Sequence, residues 1–174
     1  VYGHQQLSLF NNYYRQHCYQ PLHIYEGLSG KLITAILKPG RRSKDVEVFS
    51  ILSRVIDFLR DYWPNTRIII RGDSHFCSSE LMAWTKDKEK VNFITGLSGN
   101  QKLNDSSKVT IKSAEDKYNR DGKPIKFYHT FRYKAQSWSD LYRVIVKVEV
   151  NSKGTNIRYI VTDLEEFRTK DLYE

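Results

Sequence analysis

The chain has 174 residues, 40% hydrophobic and 28% charged, and 28 Lys+Arg against 20 Asp+Glu give a formal net charge of +8. No apolar run approaches the roughly 20 residues that a membrane helix needs, and no signal-peptide pattern opens the chain. The length suits one domain, or one domain with a sizeable insertion, and the basic excess favours an anionic partner, nucleic acid first.

In chain order, "QPLHIYEGLSGKLITAILKPG" (20–40) reads as a hairpin. Leu22, Ile24 and Tyr25 lie on one strand and Leu32, Ile33, Ala35, Ile36 and Leu37 on the next, with turn glycines between them. Residues 43–64 predict a helix capped by Ser43 and stopped at Pro64, its buried face formed by Phe49, Leu52, Ile56, Leu59 and Trp63. "RIIIRGD" (67–73) is a β-branched run without alternation, the pattern of a parallel strand buried on both faces. A second helix is predicted over 78–90 behind a serine cap, and "VNFITGLS" (91–98) is another buried strand. Residues 101–124 are polar and predict a mobile loop or irregular segment. Strands follow at 126–135, 141–150 and 157–163, the last two joined as a hairpin through "NSKGTN". The two cysteines, Cys18 and Cys77, fit no metal-ligand spacing and read as free thiols of a reducing, cytoplasmic compartment.

The most hydrophobic of these strands runs straight into Gly72 and Asp73. Ligands of open α/β sheets bind at the carboxyl ends of parallel strands, so Asp73 is the leading candidate for a catalytic, cation-binding carboxylate. Two roles stay open at this point, because an aspartate at a strand end also caps its own turn. "GDSH" has a faint likeness to metallophosphoesterase segments, but the further ligand segments of such enzymes do not appear.

"VYGHQQLSLFNNYYRQHCYQPLHIYEGLSGKLITAILKPGRRS", "RIIIRGDSHF" and "NFITGLSGN" together resemble the core of a bacterial insertion-sequence transposase of the DDE superfamily. The resemblance covers residues 1 to about 100 and, more loosely, the end at "DLYE". It implies an α/β fold, a ribonuclease-H-like mixed sheet with flanking helices, plus an antiparallel β insertion. Residues 1–100 would be a partial catalytic core, and 101–174 a β-rich insertion leading toward a catalytic helix. In that superfamily three carboxylates hold two Mg²⁺ ions, for which Mn²⁺ substitutes. The match carries the second carboxylate onto Asp73 and places the first upstream of Val1 and the third after "DLYE". A segment of a longer protein is therefore expected, holding one ligand of the metal pair and inactive alone. The fold's first strand would be absent, so its neighbours' edges call for an oligomer or a substituted strand.

The resemblance also implies DNA as partner (transposon ends and target), a homodimer in function, and a bacterial, nucleoid-associated location. His75 and His4 are candidate active-site neighbours. Lys38, Arg41, Arg42 and Lys44 form a basic turn before a helix N-terminus, a candidate phosphate clamp. Lys126, Arg132 and Lys134 interleave with Phe127, Tyr128, Phe131 and Tyr133 as a candidate DNA strand, although the aromatic face also suits a core. Trp138, among small polar residues, is a candidate exposed stacking group or a ring folded back on the sheet. The reading is a DNA transposase fragment. Its rivals are a non-catalytic DNA-binding remnant and, more distantly, a metal-dependent phosphoesterase.

Overall fold

The computed structural model describes residues 8–12, 14–38 and 45–174. Two compact units divide the chain, Val1–Ile51 and Leu52–Glu174. In the first, β1 (Leu9–Asn11) pairs antiparallel with β2 (Gln16–Cys18), and β3 (Leu22–Tyr25) with β4 (Leu32–Ile36). The second of these is the hairpin expected over 20–40. Its turn is held by the Glu26 carboxylate, which accepts the N–H groups of Leu28 and Ser29. Hydrogen bonds from Ser29 and from the Leu28 backbone hold that carboxyl down at about 2.

Helix α1 (Asp45–Tyr62) begins in the first unit and ends in the second. Leu52 and Ile56 are buried, as the 3/4 spacing requires, but Trp63 lies beyond the helix end and is exposed. The guanidinium of Arg60 donates to the carbonyls of Trp63, Thr66, Glu89 and Lys90. It thereby fixes the turn that feeds the next strand.

The second unit is a mixed α/β sheet with flanking helices. β5 (Ile68–Gly72) leads through a 3₁₀ turn (Ser74–Phe76) to α2 (Ser79–Lys86) and β6 (Val91–Leu97). Then come α3 (Gln101–Asp121), β7 (Ile125–Tyr133), β8 (Tyr142–Asn151), β9 (Gly154–Thr162) and α4 (Thr169–Tyr173). The sheet order is β5-β6-β9-β8-β7, with β5 and β6 parallel and every other pair antiparallel. The strands after residue 101 thus continue the sheet of β5 and β6 through the β6–β9 pair.

β8 is the centre of the core. Tyr142, Val144, Val146, Val148 and Val150 point to the face on which α3 packs. Ile145, on the other face, clusters with Ile94, Leu164 and Leu172. The expectation for β5 is corrected. Ile70 is buried, but Ile69 is 40% exposed and Arg71 is exposed, because among the described residues β5 is an edge strand with one face open.

Residues 101–124 are also corrected: Gln101–Asp121 form the longest helix among the described residues rather than a loop. The Asn100 side chain caps it by accepting Leu103 N–H, and Gly122, in the left-handed region, ends it with its N–H on the Tyr118 carbonyl. Its buried stripe is Leu103, Ser107 and Ala114. Small and polar residues fill two of those three positions, so the apolar periodicity is faint.

Candidate active site

Asp73 stands at the carboxyl end of β5, where the strand gives way to the 3₁₀ turn. Its backbone is extended, and its Oδ1 accepts the His75 N–H at 2.8 Å, capping the turn. Two glycines make room for this turn. A Cβ on Gly72 would lie 2.6 Å from the Phe76 ring, so the ring occupies the space a side chain would need. A Cβ on Gly96 of β6 would lie 2.9 Å from the Ser74 nitrogen and 3.2 Å from the Asp73 carbonyl carbon. The turn therefore rests on the bare backbone of the neighbouring parallel strand, the close approach that a strand glycine marks. Sequence reasoning passed over Gly96, although a glycine inside "FITGLS" was the available signal. Ser78 then caps α2 by accepting Leu81 N–H.

The carboxylate so held faces solvent. The Asp73 side chain is 69% exposed and that of His75 67%, with His75 Nδ1 3.4 Å from Asp73 Oδ1. The second oxygen of Asp73 makes no hydrogen bond among the described residues, so it is free to accept one or to bind a cation. His75 is thus brought to Asp73, through its backbone first and its ring second.

A hard dication such as Mg²⁺ needs about six oxygen ligands, several of them carboxylate or phosphate. Among the described residues no group of three or more His, Cys, Asp or Glu side chains comes together. Asp163, half-buried after β9, accepts Phe93 N–H and an Asn92 amide hydrogen toward the start of β6, whereas Asp73 lies against Gly96 near its end. Burial pushes the Asp163 carboxyl above its ordinary range, against the pull of those two donors. Asp73 by itself does not fit a metal pair.

The remaining candidates scatter. His4, Arg41, Arg42 and Lys44 lie outside the described residues. Lys38 is half-buried, and its carbonyl accepts Gln20 N–H. Lys126, Arg132 and Lys134 alternate onto one side of β7 and its continuation, and each is already engaged. Lys126 lies 3.9 Å from Glu149 and Arg132 2.9 Å from Glu165, while Lys134 donates to the Ser139 carbonyl at 2.6 Å. Trp138 is corrected as an exposed stacking group. It is 6% exposed, edge-on to Tyr133 at 5.5 Å and to Tyr142 at 5.8 Å. Burying that ring area outweighs leaving it in water. Both cysteines are free thiols, Cys18 buried and Cys77 half-buried.

No curated protein and no solved structure matches this chain. A family model described as Transposase DDE domain group 1 matches residues 1–174, its entire length. With a mixed sheet that displays a carboxylate at the end of a parallel strand, and a match that leaves no part of the sequence uncovered, the chain belongs to the transposase DDE domain family, group 1, the proteins of DNA transposition and recombination.

Proposed function

We propose that this chain carries the second of the three catalytic carboxylates of a DDE transposase, Asp73, on a ribonuclease-H-like sheet. On this reading residues 1–100 contribute part of the catalytic core, and residues 101–174 are the insertion that contacts the transposon end. The full-length enzyme carries out Mg²⁺-dependent phosphodiester hydrolysis and strand transfer at transposon ends, with Mn²⁺ as a substitute ion, and works on DNA as a homodimer. The other two carboxylates lie outside residues 1–174, so this segment alone does not cut DNA.

One observation carries the reading. Asp73 is the carboxylate presented to solvent at the carboxyl end of the strand that runs parallel to β6, on a turn seated against Gly96. The His75 N–H fixes one of its oxygens and leaves the other outward, which is orientation from a rigid support.

A nicking assay on a transposon-end duplex tests this. In the full-length protein Asp73→Asn is expected to abolish cleavage in Mg²⁺ and in Mn²⁺ while end binding persists. The segment 1–174 alone is expected to give no turnover. Undiminished cleavage by the Asp73→Asn protein sinks the assignment, and turnover by the segment alone sinks the claim of incompleteness.

A further inference from the structure

Arg143 is a buried cation with no carboxylate partner among the described residues. It lies on β8, 8% exposed, and its guanidinium reaches five neutral acceptors. Nε donates to Thr130 Oγ1 at 3.2 Å. Nη1 is shared among the carbonyls of Leu164 (3.1 Å), Glu165 (3.3 Å) and Phe167 (2.9 Å), and Nη2 donates to Thr169 Oγ1 at 3.1 Å. Four of the five bonds thus go to the connector between β9 and α4 or to the first residue of α4.

Burying a charge without a counter-charge is costly, and a neutral side chain could fill the same space. What a neutral side chain lacks is a rigid planar fork of donors that reads several backbone carbonyls at once. The rest of the connector is held to the same end. Arg67 pairs with Glu166 at 2.5 Å and lies 5.5 Å from the Phe167 ring centroid, and Arg132 pairs with Glu165 at 2.9 Å. Leu164 and Leu172 bracket the connector and α4 and are both buried in the cluster with Ile94 and Ile145. Arginines from the approach to β5, from β7 and from β8 therefore converge on one six-residue span, 163–168, and Arg143 is the one that binds its backbone.

We infer that Arg143 is a positioning residue of the transposition reaction. By fixing the connector it sets the direction in which α4 carries the chain toward the segment that holds the third carboxylate. This rests on the reading of Asp73 given above. Arg143 acts through the carbonyls of Leu164, Glu165 and Phe167 and the hydroxyl of Thr169, and the precision of the active site depends on it.

The test uses the full-length transposase with Arg143→Lys, Thr169→Val and Asp73→Asn. Lysine keeps the charge but loses the fork. Valine removes one acceptor and little else. Single-turnover nicking, the Mg²⁺ concentration for half-maximal rate, end-binding affinity and amide exchange over 164–173 are measured. For Arg143→Lys we expect nicking to fall at least tenfold and the half-saturating Mg²⁺ to rise, with end binding within about twofold, because an ångström of misplacement costs of order a hundredfold in rate. Amides of 164–173 lose protection while those of β8 and β9 keep theirs. Thr169→Val moves the same way, by about twofold to fivefold. Loosened connector amides with unchanged nicking and Mg²⁺ dependence overturn the inference. If Arg143→Lys fails to fold, Thr169→Val decides on the same terms. Cleavage by Asp73→Asn overturns the underlying reading instead, whatever Arg143 does.

Discussion

At the scale of single residues, the candidate site depends on two positions that carry no side chain. Gly96 bears directly on the placement of Asp73, because the atoms its Cβ would meet are backbone, at 2.9 and 3.2 Å, and backbone cannot swing aside. Gly96→Ala is expected to lose about 1–3 kcal/mol in urea unfolding, the range of an overpacked core, and to displace the 73–76 turn. A variant as stable as the parent, with His75 N–H protection intact, would show that the turn has slack. The sequence made Asp73 conspicuous through "IIIRGD" but was silent on what the glycines admit, since that depends on which strand lies alongside. Trp138 teaches the same lesson from the other side. Its small polar neighbours in sequence suggest a turn, and the turn is there, but Tyr133 and Tyr142 come from two flanking strands to enclose the ring.

At the scale of elements, those with strong periodicity or β-branching were legible, and the one long helix with a polar stripe was not. α3 buries Ser107 and Ala114 where a typical amphipathic helix buries leucines, and Ser107 satisfies its hydroxyl on the Leu103 carbonyl. Its ends were nevertheless written in the sequence as Asn100 and Gly122. Asn100→Ala is expected to destabilise the protein by about 1 kcal/mol, the usual worth of an N-cap. It removes the bond to Leu103 N–H and also the 3.1 Å contact with the Tyr133 hydroxyl. Chemical denaturation checks the loss of stability, and faster amide exchange at Leu103 the loss of the cap bond. No change in either would mean that packing on β7 and β8 alone holds the helix start.

At the scale of the whole molecule, charge governs how stability responds to pH, and the groups oppose one another. Asp121 is held below its ordinary range by the Lys117 hydrogen bond, Asp140 by Ser139 and then Lys86, Glu149 by Lys147, and Glu166 by its own backbone N–H and then Arg67. Lowered carboxyls stabilise the fold above their unfolded values, and that stability is lost as pH falls through their folded values. Asp163 works the other way. Burial raises it above 3.8, so its contribution is greatest below that pH and is lost as pH rises through the raised folded value. The stability difference between wild type and Asp163→Asn is expected to fall as pH climbs from below 3.8 and then to level off once Asp163 is ionised. Urea melts between acid and neutral pH measure it, and a difference that grows with pH would contradict the burial argument.

The sequence by itself determined the local elements other than α3, because capping residues, β-branched runs and turn residues act within a few positions of themselves. It marked Asp73 at a strand end and carried the likeness to DDE transposases, which the family match bears out. Only the tertiary structure decided that β9 joins β6, that among the described residues β5 stands at an edge with Ile69 partly exposed, and that Arg143 lies buried over the connector to α4. Those outcomes turn on pairings between segments tens of residues apart. Their free energy comes from surfaces that meet only once the chain has folded, so no local pattern encodes them.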